Sequence, residues 1–374
     1  MGQIYTERKE SGNDKLPILT VSIHTGVSDG ALDETELGKR VKRSEDKSTY
    51  KIARKNDLVF NMMRAWQGAI GTVRTTGMVS PAYIVAYPND LVEPIFMDYL
   101  VKCKQMIDSI HRLSYGVTDF RLRLYWDSFV EIPINVPSLE EQNKIASFLT
   151  LLDKRIAKQR ELVENLKSYK RGLVFSIFKL NNQYGISVKE TPMRELLIEH
   201  KCRKTEGLRV CSVAVNKGVV DQIEHLGRSF AATDTSNYGR VRYGDVIYTK
   251  SPTGSFPFGI VKQSHFNEDV AVSPLYGVYE PQSYDIGFLL HIIFEQHENT
   301  NNYIKPLAQK GAKNTINITN DKFLDGKIIL PNEQSDITKL SELFEKLQRK
   351  IAHEEQLLDS LLIQKNAILN FMFI

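Results

Sequence analysis

Ile145-Ala-Ser-Phe-Leu149-Thr-Leu-Leu152-Asp-Lys-Arg-Ile156 opens an apolar seam that steps on through Gln159, Val163, Leu166, Lys170, Leu173 and Ile177. Steps of four and three residues are a heptad, which lays one apolar stripe along a single helix face, broken here at Gln159 and Lys170. The seam recurs 195 residues later (Ile145 to Leu340) as Leu340, Phe344, Leu347, Ile351, Glu354, Leu358, Leu361, Lys365, Ile368 and Met372. Even the breaks coincide, Gln159 with Glu354 and Lys170 with Lys365. Two matched stripes imply a chain made of two similar halves.

The halves are legible outside the seams as well. Leu19–Asp29 aligns without a gap against Cys211–Asp221, and Tyr50–Val73 against Tyr238–Val261. Shared marks are Tyr50/Tyr238, Arg54/Arg242, Asp57/Asp245, Phe60/Tyr248, Gly71/Gly259 and Val73/Val261. Val79-Ser-Pro-Ala-Tyr83 then matches Val272-Ser-Pro-Leu-Tyr276. Gly116, Phe129 and Pro137 match Gly311, Phe323 and Pro331. A period near half the chain is a tandem duplication rather than a solenoid. About fifteen residues of the second half, near Thr191–Leu197, have no counterpart before Met1.

Each half opens with mixed α/β (α+β) sequence. Short apolar or alternating runs at Ile18–Ile23, Asp57–Phe60, Ala82–Ala86, Val210–Val215 and Asp245–Tyr248 are bounded by Gly, Asn and Pro, which reads as strand and turn. One helix per half is expected, around Ile95–His111 and Ile286–Tyr303. Ser138 followed by Glu141 is a capping box for the first long helix, with Asn332 in the corresponding place before the second. The expected division is 1–138 and 181–331 for the two globular parts, with long helices at 139–180 and 332–374; Leu180–Gly185 reads as a linker. Each seam of about 33 residues makes a helix about 50 Å long. An exposed apolar stripe must be covered. The simplest cover is an antiparallel pair with pseudo-two-fold symmetry, Ile145 layered with Met372, Ile156 with Leu361, Val163 with Glu354 and Leu173 with Phe344. The alternative packs each helix on its own globular part.

The 374 residues, 42% hydrophobic and 25% charged, are ordinary for a globular protein, and the net charge of +4 permits nucleic-acid binding without requiring it. No apolar run is long enough to span a membrane, and the start lacks a secretory signal, so a cytoplasmic protein without membrane contact is expected. Cys103, Cys202 and Cys211 show neither disulfide nor zinc spacing. P-loop, dinucleotide-binding, HExxH and GxSxG motifs are missing, so no catalytic, metal-binding or cofactor-binding residue is assigned. Ser80-Pro-Ala-Tyr83 and Ser273-Pro-Leu-Tyr276 resemble the [DNS]PP[YF] motif of amino-methyltransferases, but the second proline is missing and no methyl-donor loop precedes either. A turn is the simpler reading.

Polar and basic loops remain, in register between the halves but different in side chains. The first half offers Lys39, Arg40 and Arg43, then Arg64 and Gln67, then Tyr115, Thr118, Arg121 and Arg123. The second offers Lys217, then Lys250, Ser251 and Thr253, then Lys310, Lys313 and Asn314. Arg and Lys suit phosphates and guanine edges, Asn and Gln suit adenine. Two similar scaffolds with different loop chemistry suit a reader of two different DNA half-sites.

The run Pro137-Ser-Leu-Glu-Glu-Gln-Asn-Lys-Ile145-Ala-Ser-Phe-Leu149, with Asp153 and Ile156 after it and Lys170 to Phe178 beyond, is similar to the conserved helix of the specificity (S, HsdS) subunits of type I restriction–modification systems. Asp57–Phe60, Asp245–Tyr248 and the Val-Ser-Pro-x-Tyr pairs also resemble their target recognition domains. The second helix departs from the pattern, with Asn332-Glu-Gln-Ser-Asp in place of the Leu-Glu-Glu-Gln run. The resemblance implies two target recognition domains held apart by an antiparallel coiled coil, each reading one half of a bipartite, asymmetric double-stranded DNA site. It implies a non-catalytic subunit without cofactors of its own, serving cytoplasmic phage defence. Two modification (HsdM) subunits using S-adenosylmethionine would methylate adenine, and restriction (HsdR) subunits using ATP and Mg would cleave. The competing readings are a stand-alone adenine-N6 methyltransferase and a coiled-coil scaffold with no role on DNA.

Overall fold

A computed structural model describes residues 1–12, 15–28, 48–118, 121–179, 185–202, 206–223, 237–310 and 316–373. The chain forms two compact units, Met1–Arg160 with Gln356–Ile374, and Glu161–Glu355. Each is mixed α/β, and the same topology is built twice.

In the first unit a four-stranded antiparallel sheet runs Tyr5–Glu7, Tyr83–Pro88, Leu58–Asn61, Ile70–Thr72. In the second the order is Leu197–Glu199, Gly277–Pro281, Val246–Tyr248, Val261–Gln263. The central strands Leu58–Asn61 and Val246–Tyr248 are apolar at successive positions because both their faces are covered. A further sheet in the second unit orders Gly218–Asp221, Arg209–Ala214, Val270–Val272 and Gly239–Val241, with one parallel pairing between Arg209 and Val270. The first unit repeats it in shorter pieces: Val21–Ser22 with Gly26–Val27, Lys51–Ala53 with Gly77–Val79, and a parallel bridge from Ile18 to Met78.

Several repeated marks acquire a physical cause. Asp57 is buried, accepts the Arg54 amide at 2.8 Å and takes a two-pronged bond from Arg8 at 2.7 and 3.0 Å. Asp245 accepts the Arg242 amide at 2.7 Å and pairs with His200 at 2.8 Å. A carboxylate three residues on from the amide it accepts closes the turn that feeds the central strand. Ser80 and Ser273 do likewise: their carbonyls accept the Tyr83 and Tyr276 amides at 3.0 Å, and their hydroxyls accept from Ala82 and Leu275 at 3.3 Å. Both Ser-Pro-x-Tyr copies are turns.

Four expectations need correction. The gapless match of Gly71 to Gly259 and Val73 to Val261 fails, because Phe60 pairs with Ile70 whereas Tyr248 pairs with Val261. The loop between is nine residues (61–69) in one repeat and twelve (249–260) in the other, so Gly71 corresponds to Lys262. The single helix expected in each half is two: Pro94–Leu100 and Lys104–Leu113, then Tyr284–Phe294 and His297–Ile304. Extended backbone at Cys103 (ψ 154°) and Gln296 (ψ 121°) interrupts the helical hydrogen bonding. Asn332 does not cap the second long helix; its amide side chain donates to Ser187 at 2.7 Å beside the pairing of Lys327–Pro331 with Val188–Pro192. The capping box at Ser138 does form, with the Ser138 hydroxyl accepting the Glu141 amide at 3.4 Å and the Glu141 carboxylate accepting the Ser138 amide at 3.3 Å. Finally, the polar breaks do not simply face apolar residues, as shown below. The linker residues 180–184 lie outside the described residues.

The long helices are Leu139–Lys179 and Gln334–Met372, 41 and 39 residues. Within the first unit Ile145, Ala146 and Leu149 share a core with Ile368, Leu369, Met372 and Phe373, while Lys365 reaches Asp153. Within the second, Leu173, Val174 and Ile177 share a core with Ile337, Leu340 and Phe344, while Lys167 pairs with Glu355 at 2.8 Å. As the number rises along one helix its partner's falls, so the pairing is antiparallel in each unit. None of the sixteen apolar seam residues is exposed: Leu149, Ile156, Val163, Ile177, Leu340, Phe344, Ile351 and Leu361 are buried, and Ile145, Leu152, Leu166, Leu173, Leu347, Leu358, Ile368 and Met372 are half-buried. At the breaks, buried Lys170 pairs with Glu295, buried Glu354 with Lys350 at 2.5 Å, and Lys365 with Asp153. A charge taken from water needs a counter-charge, and each of these has one.

Candidate nucleic-acid interface

In the first unit two loops meet. One is Asn61–Gly68, which ends in the short helical turn Ala65–Gln67 and closes through Gly68 at φ 104°, a left-handed backbone suited to glycine. The other folds back on itself where Tyr115 and Arg123 exchange backbone hydrogen bonds at 3.1 and 3.0 Å. The Leu124 amide donates to the Met62 carbonyl at 2.9 Å, tying the second loop to the first. Trp66 lies against His111 with ring centroids 5.5 Å apart, and its indole nitrogen donates to the Met63 carbonyl at 3.1 Å. Gly116 is required by this fold-back: a Cβ there would sit 2.2 Å from the Arg121 carbonyl oxygen.

These loops present Arg64, Gln67, Tyr115, Thr118, Arg121 and Arg123, all exposed. Tyr115 is stacked on Tyr125 at 5.0 Å, which pre-orders an aromatic face in solvent. Arg64, Arg121 and Arg123 form no salt bridge among the described residues, so their guanidinium donors are available to a polyanion. Lys39, Arg40 and Arg43 lie outside the described residues.

The second unit uses the equivalent places differently. Lys217 is exposed at the turn between Arg209–Ala214 and Gly218–Asp221. Lys250, Ser251 and Thr253 sit on the longer loop, where Thr253 and Phe256 exchange backbone bonds at 3.0 and 2.9 Å. Lys250 has φ 58°, unusual for a side chain other than glycine, and a Cβ on the neighbouring Gly259 would meet its backbone nitrogen at 2.7 Å. Burial pulls the Lys250 pKa down. Lys310 belongs to a two-residue strand paired with Ile316–Asn317, while Lys313, Asn314 and Gly311 lie outside the described residues.

Sequence reading missed two polar cavities, one per unit. The first is lined by Thr25, Val27, Thr72, Arg74, Asp98 and Lys102, the second chiefly by Lys217, Lys262, His265, His291 and Glu295. Their residues come from three separated segments in the first and four in the second, with no motif to betray them. Among the described residues no cluster of His, Cys, Asp and Glu is arranged to hold a metal ion, and no helix is long and apolar enough to cross a membrane.

Residues 2–167 match the family described as the type I restriction modification DNA specificity domain. Among solved structures, the S subunit of a type I restriction-modification system from M. genitalium is similar over 100% of this chain and 94% of its own, at TM-score 0.56 and 13% identity. A chain of the type I R-M system, solved in connection with its complex assembly and conformational transition, is similar over 100% of this chain and 96% of its own, at TM-score 0.53 and 16% identity. No curated protein matches. Residues 2–167 are thus similar in sequence to the type I DNA specificity domain. Over its whole length it has the duplicated fold of the S subunits.

Proposed function

We propose that the protein is the sequence-reading subunit of a type I restriction–modification complex, residues 1–138 and 181–331 each reading one half of a bipartite, asymmetric DNA site. The observation that carries this reading is the pair of joined loops in the first unit, where Arg64, Gln67, Tyr115, Thr118, Arg121 and Arg123 stand exposed on a DNA specificity domain, with no salt bridge to the three arginines among the described residues. Side chains of this kind position a duplex through phosphates and discriminate bases through bidentate bonds. Lys217, Lys250, Ser251, Thr253, Lys310, Lys313 and Asn314 would serve the other half-site, with Lys39, Arg40 and Arg43 adding charge to the first.

In this reading the chain performs no catalysis and holds no cofactor. Adenine methylation, with S-adenosylmethionine, and ATP- and Mg-dependent restriction belong to modification and restriction subunits that meet it in the cytoplasm. The long helices, 139–180 and 332–374 in this division, carry side chains suited to such docking: Phe148, Leu151, Leu162, Tyr169, Leu343 and Ile363 are exposed on them. The test is to co-express the chain with modification subunits and map methylated adenines. Exchange of residues 1–138 for another recognition domain should change one half of the methylated sequence; an unchanged methylation pattern would overturn the assignment.

A further inference from the structure

The two cavities occupy the same place in the repeated fold, beside the strand Ile70–Thr72 or Val261–Gln263 and the helix that follows the sheet. One hydrogen bond marks the equivalence. The Thr72 amide donates to Asp98 Oδ1 at 2.8 Å, and the Gln263 amide donates to His291 Nδ1 at 3.1 Å. In the first unit Asp98 also accepts from Arg74 and Lys102, both at 3.0 Å, so each cation has its counter-charge inside the cavity wall. Gly71 belongs to this arrangement, since a Cβ there would come within 2.9 Å of Asp98 Oδ1.

The second unit changes each of these terms. His291 replaces the carboxylate with a ring that accepts the same amide without bringing a negative charge. Lys262 replaces Gly71 and is only 3% exposed. Its ammonium makes no hydrogen bond and no salt bridge among the described residues, while the nearby Glu295 carboxylate is bonded to Lys170. Burial pulls the pKa values of Lys262, His265 and His291 down. A buried ammonium facing a polar cavity without an acceptor is costly unless an anion enters.

We propose that this cavity of the second repeat is an oxyanion site that takes one phosphoryl group, with Lys262 as its buried charge, Lys217 at its rim, and Asn216 and Gln348 as amide donors. Its volume of about 280 Å³ admits a phosphate with several waters, each needing about 30 Å³. In the equivalent cavity of the first repeat Asp98 already neutralises the cations. The phosphoryl group is either free phosphate or a phosphodiester of bound DNA, the latter resting on the DNA-recognition reading above.

The test is thermal melting of the full chain in sodium phosphate against sodium chloride at equal ionic strength. Phosphate at about ten times its Kd should raise the melting temperature by roughly 3–5 °C through binding linkage. The rise should vanish in Lys262→Met, which keeps the side chain's length, and in His291→Asp, which installs the carboxylate found in the first repeat. Lys217→Ala, at an exposed turn, should weaken phosphate binding severalfold with the fold untouched. Equal melting in the two salts, or the same phosphate rise in Lys262→Met, would overturn the site. If DNA supplies the group, phosphate competes with a duplex and Lys262→Met lowers the salt dependence of duplex binding by about one unit. If the source is free phosphate, duplex binding by Lys262→Met is unchanged while the melting response is lost. Loss of all DNA binding with an intact phosphate response would defeat the DNA reading and leave the site standing.

Discussion

The Lys365 ammonium lies 2.5 Å from Asp153 Oδ1, bringing together one charged residue from each long helix within the first unit. Asp153 also accepts the Tyr99 hydroxyl at 2.7 Å, and burial together with this carboxylate holds the Tyr99 pKa high. The break in the apolar seam is thus a polar crosslink between the helices and the helix Pro94–Leu100.

Because Lys365 and Asp153 are 24% and 39% exposed, the pair is partly screened. A double-mutant cycle of Lys365→Met and Asp153→Asn should return a coupling of about 0.5–1 kcal/mol. It should shrink in high salt. A coupling of zero at low salt would show that the contact contributes nothing.

Truncation along the seam should follow burial. Phe344→Ala should cost about 3–5 kcal/mol and Leu361→Ala about 2–5 kcal/mol, as buried side chains leave cavities. Leu166→Ala, at a half-buried position, should cost less than Leu361→Ala. Chemical denaturation of the three variants measures the order, and a cost at Leu166 equal to that at Leu361 would contradict it.

Recognition by the first repeat should depend on its loop pair. Arg121→Ala should lower affinity by about 1–3 kcal/mol if it reads a base, and relax one half-site only. Gly116→Ala should disturb the same half-site, since the new methyl would collide with the Arg121 carbonyl. Selection of bound sequences by the assembled complex distinguishes the half-sites; a change in the other half would refute the placement.

Stability should decline on the acid side through His291. Burial, with Lys262, His265 and Lys170 close by, holds its pKa well below the ordinary 6.5. Below pH 6.5 the unfolded chain therefore binds a proton that the folded chain refuses. The contribution is complete above pH 6.5 and is lost as pH falls toward the folded pKa, at no more than about 1.4 kcal/mol per pH unit. His265, whose pKa is also lowered by partial desolvation, acts in the same direction. Denaturation at several pH values should show a shallower acid decline in His291→Asn; an identical slope would exclude this histidine as the cause.

Helical periodicity is a local property of a chain, so the sequence alone determined the two long helices, their duplication and the stripe that must be covered. The pairing of Ser138 with Glu141 was equally readable, because it joins residues three apart, whereas Arg54 and Asp57 stood out only as repeated marks until the structure joined them. The strand cores at Leu58–Phe60 and Val246–Tyr248 were visible as short apolar runs. Tertiary structure alone decided what depends on segments distant in the chain. It set the three-residue difference that places Lys262 opposite Gly71's position, the Ser187 bond that takes Asn332 away from capping, and the counter-charges that meet Lys170 and Lys365. It also decided the two cavities, whose character turns on whether Asp98 or His291 accepts a strand amide. Spacing in sequence carries no record of such meetings, because side chains from separate segments become neighbours only when the sheet, the helices and the hairpin have packed.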